Sequence, residues 1–151
     1  MAGPSFQFRL ERVRSLRERN RRLAEQELAS AIGRRMRSED ELRSTESHLL
    51  RAQSQQRSVA GSRTLSAVEL IAGQAYLERI EADRGQRTHE LAQHEAEVAR
   101  RDAQLATAAG EHQVLNRLRE RHRCEHDREQ ARREQGTLDE IASVRFRRSA
   151  S

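Results

Sequence analysis

The run His122-Arg-Cys-Glu-His126 holds the residue types of a metal site. His122 and His126 stand one helical turn apart, so their imidazoles could share a zinc ion. Cys124 falls on another face, and Arg121, Arg123 and Arg128 crowd the pair with positive charge. The reading preferred is a solvated helix face. The expectation is that no metal and no other cofactor is bound.

A second stretch, Arg17-Glu-Arg-Asn20-Arg-Arg-Leu-Ala24, has the outline of a basic-zipper helix that reads DNA. Such a helix needs small residues after the Asn and more basic residues beyond them. Here Leu23 takes one of the small positions, and Glu25 and Glu27 would repel phosphates. A helix laced with ion pairs explains the stretch as well. The sequence holds no glycine-rich phosphate loop, no nucleophile–base pair and no convergent carboxylates. The chain is therefore expected to bind other proteins rather than to catalyse a reaction.

The elements that carry these residues follow from composition. Only 34% of the chain is hydrophobic and 35% is charged, with no Trp, one Tyr and three Phe among 151 residues. That is too little for an ordinary compact core. The abundant Arg, Glu, Ala, Leu and Gln favour helix over disorder. The one proline is Pro4, so nothing forbids long helices beyond it. Arg supplies all 29 basic residues, and 24 acidic residues hold the net charge to +5. Glu18–Arg22, Glu39–Arg43, Glu97–Arg101 and Glu129–Arg133 have the favourable order for ion pairs one turn apart. Cys124 is alone, so no disulfide forms within the chain. No signal peptide and no apolar run long enough to span a membrane is evident.

Apolar residues recur at steps of three and four over the first third. The stripe is Phe6, Leu10, Val13, Leu16, Asn20, Leu23, Leu28, Ile32, Leu42, Leu49 and Ala52, with a slip in phase near Leu23–Leu28. Asn20 on that stripe either sets register in a buried seam or lies in partly solvated first turns. The pattern stops between Gln55 and Leu65, where Gly61 and small polar residues mark a turn. Ser66-Ala-Val-Glu69 then reads as a capping box. The second stripe is Tyr76, Ile80, Arg87, Leu91, His94, Val98, Arg101, Leu105, Ala108, His112, Leu115 and Leu118. Gly73, Gly85, Gly110 and Gly136 weaken the helix by up to ~1 kcal/mol each, and Gly136 is the expected break.

The expected fold is all-α: a single antiparallel two-helix coiled-coil hairpin over 1–151, with a helix at about 6–57, a turn at about 58–66 and a longer helix at about 67–147. At 1.5 Å per residue the two helices would run about 75 and about 120 Å. With a tight turn, the polar stretch from Arg119 to Thr137 would overhang and end in the apolar residues Leu138, Ile141, Val144 and Phe146. A competing register enlarges the turn to about Arg87 and sets Phe6 beside Phe146. Either way little surface is buried, so stability should be marginal and partners would complete it.

Three stretches resemble a known family. Phe6-Gln-Phe-Arg-Leu-Glu-Arg-Val13, Ala75-Tyr-Leu-Glu-Arg-Ile80, and Leu138-Asp-Glu-Ile-Ala142 followed by Arg145-Phe146 are similar, in order and spacing, to the flagellar export protein FliJ family. The resemblance implies a soluble, non-enzymatic component of the flagellar type III export apparatus. It implies a hairpin like the central stalk of a rotary ATPase, which links the export ATPase ring to the membrane export gate and escorts export chaperones. On that basis Phe6, Leu10, Val13, Leu138, Ile141 and Phe146 are candidates for the ATPase contact, and Tyr76 and Ile80 for the gate contact. The same residues also read as simple packing of the hairpin. The implied location is the cytoplasm, at the inner face of the cell membrane through partners, in flagellum biogenesis and motility. A stalk of a virulence-type secretion system, an Arg-rich nucleic-acid-binding helix and a dimeric structural coiled coil are the other readings.

Overall fold

The structure, a computed structural model, describes residues 5–61 and 66–149. It holds two helices, α1 (Glu11–Ala60, 50 residues) and α2 (Ala67–Ser149, 83 residues), and no strand among the described residues. The helices pack against each other as an all-α helical hairpin. None of the described helices is long and apolar enough to cross a membrane.

Local chemistry fixes where the helices begin. Ser66 N–H donates to Glu69 Oε2 at 3.0 Å, and Glu69 N–H donates to Ser66 Oγ at 3.3 Å. This is the reciprocal capping box read from the sequence. Residues 62–65 of the expected turn lie outside the described residues, while 58–60 continue α1. At the other end α1 begins later than expected. Residues 5–8 are not helical, and Glu11 N–H donates to Phe8 C=O at 3.1 Å as the helix starts. The cause is Phe8, which is buried against α2 and not free to continue a helical stripe.

Contacts divide the chain into two compact units. The first spans Leu23–Ala106 and includes the turn. Within it α1 buries a seam at seven-residue steps: Leu28, Arg35, Leu42 and Leu49 in one row, and Ala24, Ala31, Ser38, Thr45 and Ala52 in the other. Ala31 is 1% exposed and Leu49 6%. The α2 side of this seam is Gly73, Leu77, Ile80, Arg87, Leu91, His94, Val98, Arg101 and Leu105. Cross-links fix the register. Arg101 Nη1 donates to Glu27 Oε2 at 2.5 Å, Arg87 pairs with Glu41, and Thr45 Oγ1 bonds Asp83 Oδ2 at 3.4 Å. Each step forward along α1 is matched by an equal step back along α2. Small residues in one row let the helices approach closely. A Cβ on Gly73 would lie 3.3 Å from the Gln56 amide, so this glycine leaves room for Gln56 beside the turn.

The second unit combines the start of the chain, up to Arg22, with α2 from Thr107 onward. Its seam is polar. Arg14 Nη1 donates to Asn116 Oδ1 at 3.2 Å, Arg17 pairs with Glu111 at 2.6 Å, and Arg119 pairs with Glu11 at 3.5 Å. Above these pairs the open chain closes on α2 through rings. Phe8 meets His122 edge-on at 5.9 Å and Phe6 meets His126 at 5.7 Å. Two residues of open chain span about 7 Å, and four residues of helix rise about 6 Å. The two Phe therefore match the two His in step.

Several expectations change here. The stripe expected on the first half of α1 largely does not face α2. Leu10, Val13 and Leu16 are exposed, as are Asn20, Leu23 and Ile32, and the seam carries Arg14, Arg17, Arg21 and Ala31 instead. No slip in phase is needed once the small residues are counted as seam positions. The register with Phe6 beside Phe146 does not occur, because Phe6 lies on His126. The overhang begins later than Arg119, since Arg119, His122 and His126 are all engaged from across the seam. From Ala131 to Arg148 every side chain is exposed. Gly136 does not break α2. The helix runs through it, no glycine among the described residues has a positive φ, and nothing crowds this one.

Candidate protein-docking surfaces

The candidate residues fall on separate surfaces. In the Leu23–Ala106 unit, Tyr76 stands 56% exposed on the flank of the seam. It lines a shallow groove of about 200 Å³ with Ala52, Gln56, Val59, Leu70 and Gly73. Ile80, one turn further on, is half-buried and belongs to the seam. Its spacing puts it near Tyr76, but packing the hairpin is its main task. The first turns of α2 add exposed Val68 and Ile71, and α1 adds exposed Leu50. Val68, Ile71 and Leu50 lie off the single stripe that periodicity assigns to each helix.

In the other unit, Phe6 is half-buried on His126, and Leu10 and Val13 are exposed nearby. Leu138, Ile141 and Phe146 lie on the uncovered end of α2, with Phe146 75% exposed. Phe146 is twenty residues past His126 on the same helix, about 30 Å at the helical rise. The six residues expected to form one contact are thus two groups. Leu138, Ile141 and Val144 follow at steps of three and share a side of α2. Phe146 lies across the helix from Val144, so apolar surface wraps much of this end.

Electrostatics reinforce the polar seam. Arg14 Nε and Nη2 donate to Glu11 Oε1 at 3.0 and 2.6 Å. That hydrogen bond, helped by the charges of Arg14 and Arg119, holds the Glu11 carboxyl below its ordinary value, and Arg14 is raised in turn. Glu97 is lowered chiefly by the hydrogen bond from Arg101, with Arg100 and Arg34 adding charge, and Arg101 is raised. All four ion pairs expected one turn apart are present, at 2.6 Å for Glu18–Arg22, 2.7 Å for both Glu39–Arg43 and Glu97–Arg101, and 3.1 Å for Glu129–Arg133. Each is exposed enough to contribute only a few tenths of a kcal/mol, roughly 0.3–0.5 for such pairs.

His122 and His126 face the rings of Phe8 and Phe6, and Cys124 is exposed. Among the described residues no group of three or more His, Cys, Asp or Glu is placed to hold a metal ion. What the surfaces offer is apolar contact bordered by arginine, the composition of protein-binding faces.

Compared with known families, residues 6–151 match the family described as Flagellar FliJ protein. No curated protein and no solved structure matches the chain at a significant level.

Proposed function

The chain belongs to the flagellar FliJ protein family, and from that premise we propose that it is a stalk-like coiled coil linking the export ATPase ring to the membrane export gate. The family is a non-enzymatic component of flagellar protein export. The finer reading gives this chain three kinds of partner: the ATPase ring, the gate protein and export chaperones. It works in the cytoplasm at the inner face of the membrane, which it reaches through those partners.

The observation that carries the reading is the uncovered end of α2. Over Ala131–Arg148 a continuous helix presents Leu138, Ile141, Val144 and Phe146 to solvent. An apolar surface of this kind on a highly charged chain marks a place where another protein binds. Leu138, Ile141 and Phe146 are assigned to the ATPase, with Phe6, Leu10 and Val13 as a second, separate contact. The Tyr76 groove, with Ile80 one turn further along α2, is assigned to the gate.

Hydrolysis of ATP by the cognate export ATPase, with its oligomeric state followed in parallel, tests the reading. Addition of the chain should stimulate hydrolysis and promote ring formation at one chain per hexamer. Phe146→Ala and Leu138→Ala should abolish both effects while helicity is unchanged, because both side chains are exposed in the free chain. No stimulation and no binding by a well-folded chain would refute the stalk.

A further inference from the structure

The outer face of the first turns of α1 carries a second binding surface. Val13 and Leu16 share that face at a step of three, and Leu10 stands beside them. All three are exposed, Leu16 by 54%, although α2 runs alongside and covers Arg14 and Arg17 instead. Arg12 and Arg19, one turn on either side of Leu16, line the far edge of this strip, and Arg9 stands at its start. These three arginines are exposed, and no ion pair among the described residues engages them. The carboxylates nearby are already held, Glu11 by Arg14 and Glu18 by Arg22. The near edge, Arg17, is neutralised by Glu111. An apolar strip one helix wide is thus bordered on one side by cations that lack a counterpart.

We propose that this face receives an acidic amphipathic helix of a partner protein. Its apolar stripe lies on Leu10, Val13 and Leu16, and its carboxylates meet Arg9, Arg12 and Arg19. The inference rests on the reading above, which assigns Leu10 and Val13 to a partner, and adds the chemistry of that partner. The strip has helical spacing, so a helix laid beside α1 fits it ridge into groove. The cations call for Asp or Glu on its flank, where complementary charge selects the partner and speeds its arrival. A nucleic acid would satisfy the arginines but leave Val13 and Leu16 against phosphates and sugars.

The test uses the full chain and a synthetic helical peptide with leucine at its a and d positions and glutamate at e and g, followed by fluorescence anisotropy. The peptide should bind, and Leu16→Glu should weaken it by at least about tenfold, as should Arg12→Glu with Arg19→Glu. Circular dichroism should be unchanged in both variants, since the replaced side chains are exposed. A lysine version of the peptide should fail on the native chain and bind the Arg12→Glu, Arg19→Glu variant. Equal binding of both peptides, binding that ignores these substitutions, or duplex DNA bound through the same arginines at physiological salt would each overturn the proposal. So would self-association of the chain lost in Leu16→Glu. Peptide binding without any effect on the ATPase would sink the stalk and leave this surface standing. Stimulation of the ATPase with no peptide binding would do the reverse.

Discussion

The two units use the same pair of helices and hold them together differently. Over Leu23–Ala106 the seam is built mainly of Leu28, Ala31, Leu42 and Leu49 against Leu91, Val98 and Leu105, with Arg87 and Arg101 paired across it to Glu41 and Glu27. In the other unit arginines occupy the α1 side, Leu10 and Leu16 are turned outward, and two Phe–His contacts close the end. Apolar burial is additive and hard to compete away, whereas exposed ion pairs contribute little and exchange readily with water. The first arrangement stabilises the hairpin; the second leaves apolar side chains available to other molecules. The unit that spends less of its apolar surface on itself is the one with the most to offer a partner.

The largest test of this contrast compares two leucines. Leu49→Ala in the apolar seam should cost about 2–4 kcal/mol, read as a lower urea midpoint by circular dichroism. Leu16→Ala should change that midpoint by no more than about 0.5 kcal/mol. Equal losses would erase the distinction between the units.

A smaller effect is expected from Phe8→Ala. Phe8 is buried on His122 at the free end of the seam, so its loss should fray that end rather than unfold the chain. Amide exchange should speed up over residues 11–20 and stay slow over 28–56. Uniform acceleration along α1 would show that the two regions melt together.

The smallest effect is on acidification. The Glu11 carboxyl is held below 4.5 by its bond from Arg14, so the charged form is favoured in the folded chain. Its contribution is present at neutral pH and is lost as pH falls through the lowered folded value. Glu97 behaves alike, but its main partners, Arg101 and Arg100, lie on its own helix. Glu11 also reaches Arg119 across the seam. Titration below about pH 4.5 should therefore loosen exchange protection around Glu11 before that around Glu97. The reverse order would count against a polar seam held by charge.

The sequence made α2 legible because its seam residues, from Ile80 to Leu118, are the apolar and long side chains that periodicity detects. The capping box was legible for the same reason of local chemistry. The first half of α1 was not, because its leucines follow a helical period on a face that α2 does not cover. The close approach is made by Ala24, Ala31, Ser38, Thr45 and Ala52, whose small size gives them little weight in a hydrophobic pattern. Arg14 and Arg17 also escape such a search, since their tolerance of the seam depends on Asn116 and Glu111 far along the chain. The candidate contacts at Leu138–Phe146 were legible as apolar residues with no helix to face. Their separation from Phe6 was not, because it depends on register.

The alanine and serine row in the seam has a thermal consequence. Heat capacity rises on unfolding in proportion to the apolar area uncovered, and globular chains gain about 12–15 cal/mol/K per residue. A seam that buries Ala31 and Ser38 where a globule would bury large side chains uncovers far less. The chain's stability curve should then be shallow, its melting broad, and its tolerance of cold better than its tolerance of heat would suggest.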